Sequence, residues 1–274
     1  MTDLETKTRI RDFYDALSPH FRDLWGEHLH DGLYSSEAKS KEAAQEKLVE
    51  YLAAEAQLPY GARGLDIGCG MGATSVWLAK NLHAQMTGIT LSSVQVQIAQ
   101  ELAKREGVAA EFKVADADAV QFSGKFDFLW MVGVLGHLPD QESFICNSPR
   151  LIENGGVFVL ADWVIAEDVS LEDYDKYVQP VIDGMLMPEI KSLKNYWDWF
   201  ERSGYSVRMI NDLTKETRRT WDEGISITQT VSIVKLAFDL GRDALGLLSA
   251  IKGMGDAMDR GLIRYGVVIA DKIE

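Results

Sequence analysis

The sequence has few cysteines and no long apolar run. Its two cysteines, Cys69 and Cys146, are too few for a disulfide framework or a cysteine-based metal site. No apolar run approaches the roughly 18 residues needed to cross a bilayer, and the charged N-terminus lacks the apolar core of a signal peptide. We therefore expect a cytoplasmic protein without a membrane span and without a bound metal ion.

Positive charge is scarce as well. The chain carries 28 lysine and arginine residues against 42 acidic ones, a net charge of −14 over 274 residues. A surface this acidic repels phosphate groups, so we expect neither nucleic acid nor anionic membrane surfaces as partners. The composition, 46% hydrophobic and 26% charged, is typical of a globular protein, and the length allows one domain with insertions or one and a half domains.

A glycine-rich turn at residues 64–75 (GLDIGCGMGATS) is the most informative stretch. An apolar run ends in Asp66, passes through three glycines spaced G-x-G-x-G and enters a helical pattern at Thr74. A strand, a tight turn and a helix N-terminus in this order are the arrangement in which Rossmann-like sheets bind nucleotide-bearing cofactors. The third glycine comes too early for the dinucleotide fingerprint, and an ordinary strand-to-helix turn is the alternative interpretation.

Strand and helix patterns alternate after this turn. The later predicted strands lie at residues 85–89, 111–115, 126–132, 157–160, 205–210 and 265–270. The helices between the first five strands are predicted at residues 74–82, from Ser92 or Ser93 to Arg105, and at 141–153. Such alternation predicts a parallel sheet with helices on both faces. Upstream, residues 5–25 predict two helices separated at Ser18-Pro19, and residues 40–56 predict a third.

Three stretches resemble one enzyme family. LDIGCGMG resembles the first motif of Rossmann-like S-adenosylmethionine-dependent methyltransferases. GITLSSVQ, at residues 88–95, resembles a segment of the tocopherol-type, sugar-modifying and cyclopropane-synthase-like members, and the succession FDFLW, HLPD, GG, ADW matches their later motifs. The resemblance implies S-adenosylmethionine as cofactor and a seven-stranded, mostly parallel α/β sheet whose last strand is antiparallel.

The resemblance also implies a domain organisation. Residues 1–60 are expected to form an N-terminal helical lid, and residues 61–274 the core, with cover insertions at about 164–203 and 213–260. The apolar stretch at residues 225–258 has three interpretations: a helical roof over an apolar acceptor, a dimer face, or a helix packed on the core. The sequence leaves open whether the protein is a monomer or a homo-oligomer.

The predicted cofactor residues follow the ends of the first four strands. The resemblance assigns to them Asp66, Gly68, Gly70, Thr90, Leu91, Gln95, Asp116, Ala117 and Val132. The carboxyl ends of parallel strands share one rim of a sheet, so we expect these residues to meet there. The alternative for the acidic residues after strand three is a solvated loop, an interpretation that suits Asp118 better than Asp116.

Two further residues at this rim are the predicted catalytic pair. Neutral histidine is suited to removing a proton from a hydroxyl at physiological pH, and a carboxylate can hold its tautomer. The motif places His137 and Asp162 in these roles. In the alternative, His137 caps the following helix and Asp162 binds backbone groups. Glycines at 133 and 136 replace acidic residues of related enzymes, which makes carboxylate-assisted carbanion or carbocation chemistry less expected.

Aromatic and histidine side chains are candidates for the acceptor site and its cover. The predicted set is Tyr14, Trp25, His28, His30, Trp163, Trp197, Trp199 and Trp221. Packing in the core, or solvation for the histidines, is the alternative for each.

The leading functional hypothesis is O-methylation of a small, largely apolar molecule of secondary metabolism. The alternatives are C- or N-methylation of an isoprenoid, alkaloid or quinone-like acceptor, and cofactor binding without catalysis. Methylation of nucleic acid is disfavoured by the acidic charge and by the absence of an aromatic-flanked Asn/Asp-Pro-Pro motif after strand four.

Overall fold

The computed structural model describes residues 2–230 and 241–273. A sheet of seven strands in the order β3-β2-β1-β4-β5-β7-β6 lies at its centre. The strands are β1 Arg63–Ile67, β2 Gln85–Thr90, β3 Ala110–Val114, β4 Phe126–Val132, β5 Ile152–Ile165, β6 Tyr205–Asp212 and β7 Ile263–Lys272. Strands β1 to β5 are parallel, and β7 is antiparallel to β5 and β6. The predicted α/β fold is confirmed.

Helices cover both faces of the sheet. They are α1 Asp3–Leu24, α2 Lys41–Glu55, α3 Ala73–Leu82, α4 Ser93–Glu106, α5 Gln141–Asn147, α6 Leu171–Asp173, α7 Gln179–Gly184, α8 Leu193–Arg202, α9 Thr214–Thr217, α10 Arg219–Thr230 and α11 Arg242–Asp259. Short 3₁₀ turns occur at Leu135–His137 and Ser148–Arg150, and a π-helical turn at Tyr174–Val178. Among the described residues, no helix has the length and apolar character that a membrane span requires.

Strand β4 shows how the sheet divides the core. Phe128 and Trp130 pack in one cluster of buried side chains, whereas Leu129 and Met131 pack in a second cluster. Successive side chains of a strand point to opposite faces, so a continuous apolar run fits a strand buried on both sides. Strands β2 and β3 lie on one side of β1, and β4 and β5 on the other. The crevice at this switch in strand order is where open α/β sheets bind ligands.

The predicted break at Ser18-Pro19 is wrong, because α1 is one helix that includes Pro19. Proline removes one backbone N–H from the helix, at a cost. Here the Ser18 hydroxyl donates to the Tyr14 carbonyl at 2.6 Å. Buried apolar residues of α1, Phe13 and Leu17 among them, pack with Leu186 and with α11. We infer that this tertiary packing keeps the helix continuous through the proline.

The prediction for residues 141–160 also needs correction. Helix α5 ends at Asn147, because the next turn contains Pro149 and is 3₁₀. Strand β5 begins at Ile152 and continues to Ile165, well beyond the predicted 157–160. Its antiparallel pairing with β7 supports this length. Asp162 therefore lies inside the strand rather than after it.

Candidate active site

A cavity open to solvent lies where β1 to β4 end. Helix α1 and the loop at residues 27–31 form its other side. The predicted site residues that line it are Tyr14, His30, Asp66, Gly68, Gly70, Thr90, Leu91, Gln95, Asp116, Ala117, Val132, His137 and Trp163. Asp162 and Trp25 are not part of this lining. The fold thus brings together side chains from four separate strand ends.

The glycine turn after β1 requires glycine at two positions. Gly68 has φ +70°, and a Cβ there would lie 2.3 Å from the Val134 side chain. Gly72 has φ +84° and would place a Cβ 2.6 Å from that of Ala99. Gly72 also begins α3 without a side-chain cap, so the first N–H groups of that helix have no side-chain acceptor. Such a helix N-terminus favours a negatively charged ligand group.

Buried carboxyl groups surround the site without any basic partner. Asp66 is 3% exposed and accepts one hydrogen bond, from the Ser75 hydroxyl at 2.7 Å. Burial raises the pKa of Asp66 and Asp31 to about 7 and that of Asp162 to about 6. Of the lysines and arginines in the described residues, none forms an ion pair with these three groups. The site therefore favours a positively charged ligand.

Strand β2 contributes the predicted cluster of uncharged polar groups. The Thr90 hydroxyl donates to Gln95 Oε1 at 2.6 Å and accepts from the Ser92 backbone N–H at 3.3 Å. The Ser92 hydroxyl accepts from the Gln95 N–H at 3.0 Å, which makes it the N-cap of α4, as predicted. This cap holds Gln95 beside Thr90 at the cavity wall.

Asp116 has a partner that the sequence did not indicate. Lys7 on α1 places its Nζ 2.8 Å from Asp116 Oδ2 and 2.5 Å from Asp118 Oδ2. The loop that contains Asp116 and Asp118, for which solvation was the alternative interpretation, is thus ion-paired with α1. Both carboxylates help to hold this helix across the cavity. Asp15 adds a second tie by accepting from the Ser92 hydroxyl. No motif marks Lys7, because its partner is 109 residues away.

His137 lies in the 3₁₀ turn after β4 and is bound on both ring nitrogens. Nε2 is 2.9 Å from the Tyr14 hydroxyl, and Nδ1 is 3.4 Å from the Leu186 carbonyl oxygen. A carbonyl only accepts, so Nδ1 carries the hydrogen and Nε2 holds the lone pair. Burial lowers the pKa of His137 to about 4, which leaves the ring neutral at pH 7. The alternative that His137 caps α5 is wrong, since Asp140 caps it by accepting from the Ser143 N–H at 2.9 Å.

Asp162 does not form the predicted hydrogen bond to His137. Its Oδ2 accepts from the Gly136 N–H at 3.1 Å and its Oδ1 from the Trp163 N–H at 2.8 Å. The reason is its position inside β5, next to the turn that precedes His137. Asp162 thus holds the backbone of that turn, while the Leu186 carbonyl takes the place at Nδ1 that was predicted for the carboxylate.

Known proteins share this arrangement of motifs. Residues 65–160 match the family model of the methyltransferase domain. The chain is 31% identical over 262 residues to 2-methyl-6-phytyl-1,4-hydroquinone methyltransferase of a Synechocystis species, covering 83% of this chain and 82% of the relative. It is also 31% identical over 220 residues to 27-O-demethylrifamycin SV methyltransferase of Amycolatopsis mediterranei, with coverages of 79% and 80%. The chain belongs to the S-adenosylmethionine-dependent methyltransferases.

The fold of this methyltransferase is shared with solved structures. A mycolic acid cyclopropane synthase in complex with S-adenosylhomocysteine superposes with a TM-score of 0.86 over 97% of this chain and 98% of that one, at 17% identity. The family assignment confirms the predicted cofactor, S-adenosylmethionine, and the predicted class of enzyme acting on small molecules. The carboxyl groups described above fit this cofactor, because its sulfonium supplies the missing positive charge.

A second cavity of the methyltransferase lies beside the first. Its lining in the described residues is mostly apolar. Helices α1, α10 and α11 form most of its wall, with Trp25, Trp163 and Trp221 as aromatic members. The stretch predicted as a roof, 225–258, includes residues 231–240, which lie outside the described part, but Ile227 and Leu248 from it line this cavity. Tyr14, Leu29, Asp31 and Trp163 belong to both linings.

The loop before α2 carries a half-buried histidine pair. His28 Nδ1 is 3.0 Å from His30 Nε2, and desolvation lowers the pKa of His30 to about 4. Gln45 of α2 holds the loop by donating to the carbonyls of His28 and His30 at 2.9 and 3.0 Å. Both histidines line the first cavity. Trp197, by contrast, is 52% exposed on α8, away from both cavities.

Proposed function

We propose that this methyltransferase methylates a hydroxyl group of a small, largely apolar molecule bound in the second cavity. The observation that supports this most is the position of His137 Nε2. Its lone pair faces the Tyr14 hydroxyl, and Tyr14 borders both cavities. An acceptor hydroxyl that reaches this passage takes the place of the Tyr14 hydroxyl at Nε2.

In this proposal the cofactor residues keep the roles that the motifs assign. Asp66 helps to position the cofactor, and the glycine turn at Gly68 and Gly70 faces its methionine part. Thr90, Leu91 and Gln95 approach the ribose and methionine ends. Asp116 and Ala117 bind the adenine, and Val132 completes the set of cofactor residues. The bound cofactor supplies a methyl group on a positively charged sulfur, and that charge offsets the buried carboxylates of the site.

His137 acts as the general base. Its Nε2 takes the proton of the acceptor hydroxyl while the oxygen forms its bond to the methyl carbon and the carbon–sulfur bond breaks. The Leu186 carbonyl holds the hydrogen on Nδ1, which keeps the lone pair on Nε2. Asp162 supports His137 by fixing the preceding turn. Helices α1, α10 and α11, whose described residues line the second cavity, then form the cover that excludes water.

Methylation at a ring carbon is a second candidate. The relative from Synechocystis is named for a hydroquinone, a molecule with both hydroxyl groups and an electron-rich ring. NMR of the product distinguishes the two, since an O-methyl and a ring methyl have different carbon shifts.

The test of the proposal is a methyl-transfer assay on a panel of prenylated hydroquinones, tocopherols and hydroxylated macrolactams, followed by mass spectrometry. We expect His137→Ala to lower kcat by about 10²- to 10⁴-fold while the affinity for S-adenosylhomocysteine stays unchanged. His83→Asn is the matched control, because His83 is exposed and remote from both cavities. Unchanged turnover in His137→Ala would remove this residue from the mechanism.

A further inference from the structure

Unpaired polar atoms gather at the second cavity. In the part of the chain that the structure describes, five buried side-chain atoms have no hydrogen-bond partner: Trp25 Nε1, Asp31 Oδ1, Tyr34 Oη, Trp221 Nε1 and Tyr265 Oη. Three of these residues, Trp25, Asp31 and Trp221, line the second cavity. Buried polar atoms of native proteins are almost always paired, so a cluster of unpaired ones indicates a missing ligand group or water.

Asp31 is the centre of this group. Its residue is 2% exposed, and its Oδ2 accepts from Trp163 Nε1 at 2.8 Å, whereas Oδ1 has no partner. The Trp221 indole N–H lies close enough to the Asp31 carboxyl to favour its charged form, although the two groups fall outside normal hydrogen-bond geometry. Asp31 also lines the cofactor cavity. It therefore lies at the passage through which an acceptor must meet the cofactor.

The chemistry of these atoms selects one kind of ligand group. Asp31 Oδ1 needs a donor, and Trp221 Nε1 beside it needs an acceptor. A hydroxyl donates one hydrogen and accepts another, so it satisfies both. An ammonium group only donates and would leave the indole N–H unpaired. The surrounding walls are apolar and aromatic, which suits a ring that bears this hydroxyl.

We propose that Asp31 is a positioning residue that accepts a hydrogen bond from a hydroxyl of the acceptor, and that the second cavity takes hydroxylated aromatic molecules. This inference rests on the proposed function in treating the second cavity as the acceptor site. It adds the group that orients the acceptor, which the motifs do not assign. Trp163 donates to the carboxylate from one side, and Trp221 donates its indole N–H to the hydroxyl oxygen from the other.

The experiment measures binding rather than turnover. Wild-type protein saturated with S-adenosylhomocysteine, so that the cofactor cavity is filled, is titrated by calorimetry with 2-naphthol, 2-methoxynaphthalene and 2-naphthylmethylamine. We expect 2-naphthol to bind about tenfold more tightly than its methyl ether, the size expected of one hydrogen bond to a charged group. The amine is expected to bind more weakly than 2-naphthol.

Two variants then test which side chains cause the preference for 2-naphthol over its methyl ether. Asp31→Asn retains an acceptor for Trp163 but places an N–H₂ group where the free oxygen lies, and Trp221→Phe removes the indole donor. We expect the preference for 2-naphthol to fall to less than about threefold in Asp31→Asn and to an intermediate value in Trp221→Phe. Asp198→Asn, the same change at an exposed residue of α8, is the control and keeps the full preference.

The outcomes separate this inference from its premise. Four results would each overturn the proposed role of Asp31. They are equal affinities for 2-naphthol and its ether, a preference that survives in Asp31→Asn, tighter binding of the amine, and no saturable binding of 2-naphthol up to ~1 mM. The first of these results would assign the unpaired atoms to a buried water. Failure of methyl transfer to every acceptor of the panel would contradict the proposed function and leave these affinities as they are.

Discussion

The Tyr14 hydroxyl of α1 and Nε2 of His137 lie 2.9 Å apart, although 123 residues separate them in the chain. Their rings meet edge to face with centroids 5.6 Å apart. The N-terminal helix thus covers the one ring nitrogen of His137 that holds a lone pair. The helix that covers the cavity therefore contacts the proposed general base directly.

Loss of the Tyr14 hydroxyl should destabilise the protein. In Tyr14→Phe the half-buried Nε2 loses the donor that it has among the described residues, which costs about 1–3 kcal/mol. Thermal unfolding of the cofactor-free protein should show a fall in Tm of several degrees. Tyr60 is 72% exposed, so Tyr60→Phe removes a hydroxyl at the surface and should leave Tm unchanged. Equal Tm values for wild type and Tyr14→Phe would show that the contact does not form in solution.

Cofactor affinity should depend on the charge of Asp66. Burial raises its pKa to about 7 in the free protein, and a cationic ligand binds the charged form. Affinity for S-adenosylmethionine should therefore be full above pH 7 and fall by up to about tenfold per pH unit below it, until the pKa of the complex is reached. Calorimetric titrations between about pH 5.5 and 8 cover both sides of this pKa and measure the change in affinity.

The same titration in Asp66→Asn provides the control. His30 and His137 have pKa values of about 4 and stay neutral in this pH range. Asp31 and Asp162, with pKa values of about 7 and about 6, titrate within it. Asp66→Asn should therefore bind more weakly at pH 8 and retain only a shallower pH dependence. An identical profile in the variant would assign the titration to the other two carboxyls.

The Lys7 ion pairs should slow the release of the cofactor product. They join α1 to the loop after β3 across the cavity mouth, with partly buried side chains. Lys7→Met should raise the dissociation rate of S-adenosylhomocysteine about three- to tenfold in stopped-flow experiments, and the difference should shrink at high salt. Arg22→Met, on the same helix but paired with its neighbour Asp23 rather than with the loop after β3, should leave the rate unchanged. A slower release in Lys7→Met would contradict a role in retention.

Asp162 should act on the backbone rather than on the titration of His137. Asp162→Asn leaves one of the Gly136 and Trp163 N–H groups without its acceptor, so stability should fall by about 1–3 kcal/mol and kcat should fall with it. The pKa of His137, followed by NMR, should stay within about half a unit of the wild-type value. A shift of a full unit would show that the carboxylate pairs with the imidazole directly.

Much of the site follows from local pattern. The glycine turn, the Thr90–Gln95 cluster and the cap at Ser92 involve residues within a few positions of one another, so local pattern predicts the turn and the cap, and the resemblance of a short motif implies the cluster. Helix continuity at Pro19 and the length of β5 were predicted wrongly, because packing on α11 and pairing with β7 decide them. Both depend on segments more than 100 residues away in the chain.

The sequence by itself determined the class of enzyme and its cofactor through the resemblance of its motifs, and the mostly parallel α/β sheet through hydrophobic periodicity, because both are properties of neighbouring residues. Only the tertiary structure decided that Lys7 reaches Asp116, that Leu186 rather than Asp162 faces His137, and that Asp31 lies between two cavities with a free oxygen. These relationships depend on how distant segments pack. No local pattern encodes which of many acidic residues becomes buried beside an apolar cavity.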